Sequence, residues 1–145
     1  MKKEILVGLL LLTCSLQGGT ESDDPEVTLQ LINLATEQLD NKHYEAARIL
    51  FLAAITSAEE EQCPMLASRA HLWVGFLHLR LEENKKYSPL IHADILEHLR
   101  KAQRLAPDED DIQQQSTRLK ALVEITYAKK EDPNLVLLAQ CCARM

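Results

Sequence analysis

From Glu26 onward, apolar residues recur at steps of three and four, the spacing of one helical face. Val27, Leu31, Leu34 and Ala35 form the first such stripe, and Asp24-Pro25 before it is a start signal with proline in the first turn. Asn41-Lys42-His43 interrupts the pattern, and Tyr44, Ala47, Phe51, Ala54 and Ala58 resume it. Glu59-Glu60-Glu61 reads as a solvated helix end, and Cys63-Pro64 as the next turn. A third stripe holds Leu66, Ala70, Trp73 and Leu77, followed by a mostly polar loop from Glu82 to Pro89. The fourth carries Ile91, Ile95, Leu99, Ala102 and Leu105 and stops at Ala106-Pro107. Asp108-Glu109-Asp110-Asp111 opens a fifth, where negative charge suits the positive end of the helix dipole. Its apolar positions are Ile112, Leu119, Leu122 and Val123, interrupted by Gln115 and Ser116. Asp132-Pro133 opens a short sixth with Leu135, Leu138, Ala139 and Cys142. Six helices with short joints pair most simply as three antiparallel hairpins, so the expected fold class is all-α over residues 26–145.

Residues 1–20 follow a different rule. Lys2 and Lys3 give a positive start, Ile5 to Leu12 is a run without a polar side chain, and small and polar residues follow. This is the three-part layout of a secretory signal peptide, and the run is too short to span a bilayer, which takes ~20 apolar residues. Leu11-Leu12-Thr13-Cys14 also resembles the lipobox of bacterial lipoproteins, which makes Cys14 a candidate lipidation site. Residues 21–25 read as a polar tether. The alternative is that residues 4–13 form a first, wholly apolar helix packed on the domain.

Composition narrows the function classes. The chain has 145 residues, enough for one core, and Leu, Ala, Glu, Gln, Lys and Arg outweigh its 4 glycines and 5 prolines. Net charge is −6, and the densest basic stretches, Arg100 to Arg104 and Lys129-Lys130, are short with acids nearby. Such a chain repels a phosphate backbone, so no nucleic-acid partner is expected.

The first two helices resemble a tetratricopeptide (TPR) unit. Leu31, Leu34 and Ala35 stand where that family places its first-helix set, and Ala47, Phe51 and Ala54 where it places the second. Tyr44-Glu45 resembles the aromatic-acid pair that opens the family's second helix. The small residues let two helices approach and interlock. The third and fourth helices resemble a stretched second unit, with Gly75 as the small residue and Leu99, Ala102 and Pro107 at the end. Gly75 to Ala102 spans 27 positions against 19 for Ala35 to Ala54, and the excess falls around Glu82–Pro89. The resemblance covers about residues 27–107. It implies a short TPR-like α-solenoid of about six helices.

Chemical candidates are few. His71 and His78 are seven residues apart on one face, hence ~10.5 Å apart along the axis, too far for one metal. They read as packed or surface histidines, as do His43, His92 and His98. The acidic run at Asp108–Asp111 lacks the glycine and ligand spacing of a calcium loop. There is no Gly-rich phosphate loop, and no serine sits in a nucleophile-elbow context. No nucleophile–base pair can be named, so the expectation is a non-enzyme without metal or cofactor. In an oxidising compartment Cys63 has two possible partners, Cys141 and Cys142; otherwise it is a small core residue. The end, Cys142-Ala143-Arg144-Met145, has the outline of a prenylation box, with Arg144 against it.

What the resemblance implies is a protein–protein interaction adaptor presenting a concave helical surface to a peptide or protein partner. Carried over from the family, the lining positions are Thr36, Leu39 and Asp40 in the first unit and Phe76, Leu79 and Arg80 in the second. Leu39, Phe76 and Leu79 serve equally well as core, and Trp73 is expected in the core. With the signal segment, the setting is the periplasm or a membrane-anchored envelope position, membrane contact being only through an N-terminal lipid. The competing readings are a structural subunit of a larger envelope complex, which includes an oligomer, and a cytosolic adaptor without export.

Overall fold

The computed structural model describes residues 25–131, and of Glu131 only its backbone. These form five α-helices and no strand among the described residues: α1 Glu26–Asp40, α2 Tyr44–Glu60, α3 Pro64–Glu82, α4 Pro89–Leu105 and α5 Asp110–Glu131. The expected signal segment, tether, Cys14 and sixth helix lie outside the described residues.

Each helix starts and stops for a local reason. Pro64 and Pro89 occupy the first turns of α3 and α4, where a missing N–H costs nothing, and the Ser88 side chain accepts from the Ile91 N–H at 3.4 Å. α1 and α2 end alike. Lys42 and Gln62 take left-handed backbone (φ 62° and 53°). The following residue then donates back five positions, His43 to the Gln38 carbonyl and Cys63 to the Ala58 carbonyl, both at 2.8 Å. These are Schellman-type stops. At α4 the Gln113 side chain of α5 caps the end, donating from Nε2 to the carbonyls of Gln103 (3.0 Å) and Ala106 (2.9 Å).

The helices pack in succession, α1 on α2, α2 on α3, α3 on α4 and α4 on α5, and α3 also touches α5. α3 is therefore enclosed by three neighbours. Every residue from Leu66 to Leu77 is buried, which is why this helix shows no polar face. Trp73 sits at its centre, 1% exposed, stacked on Phe51 of α2 with centroids 5.4 Å apart and planes 7° from parallel. The stripes on α2, α3 and α4 pack inward largely as their spacing implies: Ala47, Phe51, Ala54, Ala58, Leu66, Ala70, Leu77, Ile95, Leu99 and Ala102 are all buried.

α1 corrects the expected face. Val27 and Leu34 are 54% and 49% exposed, and the buried set is Thr28, Ile32, Ala35 and Leu39. The rotation follows from Thr28. Its hydroxyl donates to Glu61 Oε2 at 2.6 Å and lies 3.0 Å from Ser57 Oγ, while Glu61 also accepts from the backbone N–H groups of Val27 and Thr28 at 3.3 Å. The carboxylate at the end of α2 thus caps the start of α1. Glu61 is half-buried in that role, rather than part of a solvated helix end.

A candidate surface between α3 and α5

The candidate surface is built where the C-terminal halves of α3 and α5 run side by side. Phe76, Leu79, Arg80 and Glu83 of α3 and Leu122 and Thr126 of α5 enclose a hollow of about 60 Å³. Its apolar wall is fixed from behind, because Phe76 meets Trp73 edge-on at 6.0 Å between centroids. Its polar rim is Arg80. That guanidinium pairs with Glu83 at 3.2 Å and lies over the Tyr44 ring, 5.8 Å from the centroid. Arg80 is thereby steadied by α2 as well as by its own helix, and remains half-buried beside the hollow.

The six nominated residues divide into two groups. Phe76, Leu79 and Arg80 come together at this hollow. Thr36, Leu39 and Asp40 do not join them there: Leu39 is buried in the core, Thr36 donates to the Ile32 carbonyl at 2.8 Å, and Asp40 is exposed at the end of α1. Phe76 and Leu79, at 6% and 4% exposure, are mainly core residues that show an edge to the surface. Sequence reasoning missed Leu122 and Thr126 as their neighbours. Only the contact of α3 with α5 reveals them, and that contact is between helices distant in the chain.

Other chemistry-bearing groups gather elsewhere. His71 and His98 meet across α3 and α4, with Nδ1 atoms 2.9 Å apart. His78 Nδ1 lies 3.1 Å from Asp94 Oδ2. His92 stacks on the buried Tyr127 ring at 4.5 Å, with Glu124 3.7 Å from its Nε2. Burial, with Glu82 and Tyr87 adding to it, holds the Tyr127 phenol above its ordinary range. Arg69 is 4% exposed; its Nη2 is 4.0 Å from Asp111, while Nε and Nη1 have no hydrogen-bond partner among the described residues. Cys63 is half-buried and forms no disulfide among the described residues, and Cys141 and Cys142 lie outside them. Among the described residues no group of three or more His, Cys, Asp or Glu side chains could hold a metal ion. Among them, too, no helix is long and apolar enough to cross a membrane.

Asp110 and Asp111 stand in the first turn of α5. There their charge opposes the unpaired N–H groups of the helix start, as the sequence implies.

In comparison with known proteins, no family model, no curated protein and no solved structure matches this chain.

Proposed function

We propose that the chain is a non-enzymatic adaptor of TPR-like architecture that binds a peptide or protein segment along the face shared by α3 and α5. The observation that carries the reading is the meeting of Phe76, Leu79 and Arg80 with Leu122 and Thr126 around one hollow. An apolar floor with a steadied cation at its rim suits an extended segment that offers a small apolar side chain beside an acceptor. Succession of helix pairs, each packed on the next, supports the repeat-like architecture. Export follows from the Lys2-Lys3 start and the apolar run to Leu12, with Cys14 as the point of lipid attachment.

Two measurements test this. A photo-crosslinking residue at position 126, in cells of the native host, should capture one partner, and R80Q should abolish the adduct while leaving the helical signal intact. An equal yield from a crosslinker at the exposed position 53 of α2, which does not line the hollow, would overturn the proposed surface. The intact mass of the native protein tests export: a chain beginning at Cys14 with acyl groups establishes the anchor, and a chain retaining Lys2 removes it.

A further inference from the structure

Two imidazoles bridge α3 and α4 in a buried joint. His71 is 3% exposed, and its Nδ1 lies 2.9 Å from Nδ1 of His98, with ring centroids 5.1 Å apart. One hydrogen, and no more, fits between two nitrogens at that separation. The other side of the pair fixes where protons sit. His98 Nε2 faces Asp94 Oδ2 at 3.7 Å, and the same oxygen is 3.1 Å from His78 Nδ1. With both rings neutral, His98 keeps its hydrogen on Nε2 toward the carboxylate, and its Nδ1 accepts from His71 Nδ1–H. A first added proton rests on His98 beside Asp94, and His71 moves its hydrogen to Nε2 so that its Nδ1 accepts. A second added proton sets N–H against N–H and places two positive charges in the same joint.

We propose that the His71–His98 pair is a proton-operated latch: it holds α4 against α3 while the pair carries at most one added proton, and a second proton releases α4.

The surroundings act in the same sense. Burial, then His98 and Lys101, push His71 down to about 4, with Glu97 opposing. Burial also lowers His98, opposed by Asp94 and Glu97 and assisted by Lys101 and His78. From α2, Glu45 interacts with His78 and Arg48 with Asp94. From α5, Glu124 reaches His92 further along α4. His71 has an ordinary value of 6.5 in the unfolded chain and about 4 in the fold. The unfolded chain therefore binds more protons in that window. The stabilisation is fully present above 6.5 and is lost as pH falls toward 4.

The test compares the full chain with H71L/H98L, whose side chains fill the joint without titrating. Between pH 7 and pH 4.5 the urea-unfolding constant of the wild type should rise about 60-fold more than that of the double variant, below the ~300-fold ceiling of a full titration of His71. By NMR of the unmodified chain, the His71 ring should stay neutral to below pH 5. On further acidification, contacts between α3 and α4 should vanish while the Thr28–Ser57 contact in the first hairpin persists. A His71 ring that titrates near 6.5 in an intact fold overturns the proposal. So does loss of both hairpins' contacts at one common pH. The NMR arms use only the wild type and decide the matter even if the double variant does not fold.

Discussion

The two hairpins of this chain close by opposite means. In the first hairpin the buried apolar residues are Ile32, Ala35 and Leu39 of α1 with Ala47, Phe51 and Ala54 among those of α2, and its buried polar groups are gathered at one end around Glu61. Between α3 and α4 the polar groups lie within the interface itself. Ser68 donates to the Ala102 carbonyl at 2.7 Å, and His71 meets His98. The difference follows from position. α1 keeps a solvent face, with Val27 and Leu34 half exposed, whereas α3 has neighbours on three sides. Its buried Ser68 and His71 have little water to face and find their partners inside. Apolar packing carries no proton, whereas paired imidazoles do.

The largest effect should come where the hairpins meet, because both depend on it. Phe51 lies flat on Trp73, and neither ring is more than 1% exposed. Phe51→Ala removes the ring and leaves a cavity at the joint, at a cost of ~3–5 kcal/mol. At pH 7, where the His71–His98 joint is closed, urea titration followed by circular dichroism should show both hairpins melting together at a lower midpoint. Independent melting of one hairpin, with the other unmoved, would break the view that Phe51 couples them.

Next comes a close approach within the second hairpin. A Cβ at Gly75 would lie 3.0 Å from Leu99 Cδ2 and 3.5 Å from Leu99 Cγ. Gly75→Val places two further methyls there, and overpacking of this kind costs ~1–3 kcal/mol. The same residue at the exposed Ala53 of α2 should shift stability by under ~0.5 kcal/mol. Equal effects at the two sites would show that α4 can slide away from α3 freely.

How far this could be read from the chain depends on what sets each feature. Helix limits were legible because local signals mark them: Asn41-Lys42-His43, Cys63-Pro64, Ser88-Pro89 and Ala106-Pro107 all fall at observed boundaries. Stripes on α2 and α4 were legible because one neighbour or two opposed ones define an inside. The stripe on α1 was misread by a partial turn, since periodicity ranks Val27 and Leu34 above Thr28 and cannot see a carboxylate 33 residues away. Tyr127 escaped notice for a similar reason. Its burial comes from stacking on His92 and an edge contact with Tyr87 at 5.6 Å, both contributed by other parts of the chain. Half of the candidate surface was legible, through Phe76, Leu79 and Arg80. Leu122 and Thr126 depended on how α5 returns across α3, which no local spacing encodes.

A smaller effect isolates the polar end of the first hairpin. Glu61 accepts the Thr28 hydroxyl and two α1 backbone N–H groups. Glu61→Ala removes all three hydrogen bonds at once and leaves the Thr28 hydroxyl, on a residue at 0% exposure, with Ser57 alone. Loss of such a cap costs about 1 kcal/mol, up to ~2 where donors stay buried. Hydrogen exchange should show the amides of Val27 and Thr28 losing protection before any in α3. Unchanged protection there would show that α1 is held by its apolar face alone, and the contrast between the hairpins would shrink to one of side-chain size.

The smallest effect sharpens the comparison in the other direction, by gaining stability. Lys42 and Gln62 hold left-handed backbone at the ends of α1 and α2, a conformation that glycine adopts without a Cβ penalty. Neither stop depends on the side chain, since both are closed by backbone bonds, His43 to Gln38 and Cys63 to Ala58. Lys42→Gly and Gln62→Gly should each raise stability by ~0.5–1 kcal/mol, relief of the strained φ outweighing the added freedom of the unfolded chain. Lys42 lies inside the first hairpin and Gln62 between the two. If the hairpins fold as one unit, the gains add and appear in a single denaturation midpoint. If the second hairpin can come away alone, Lys42→Gly should protect α1 and α2 while leaving hydrogen exchange in α4 unchanged.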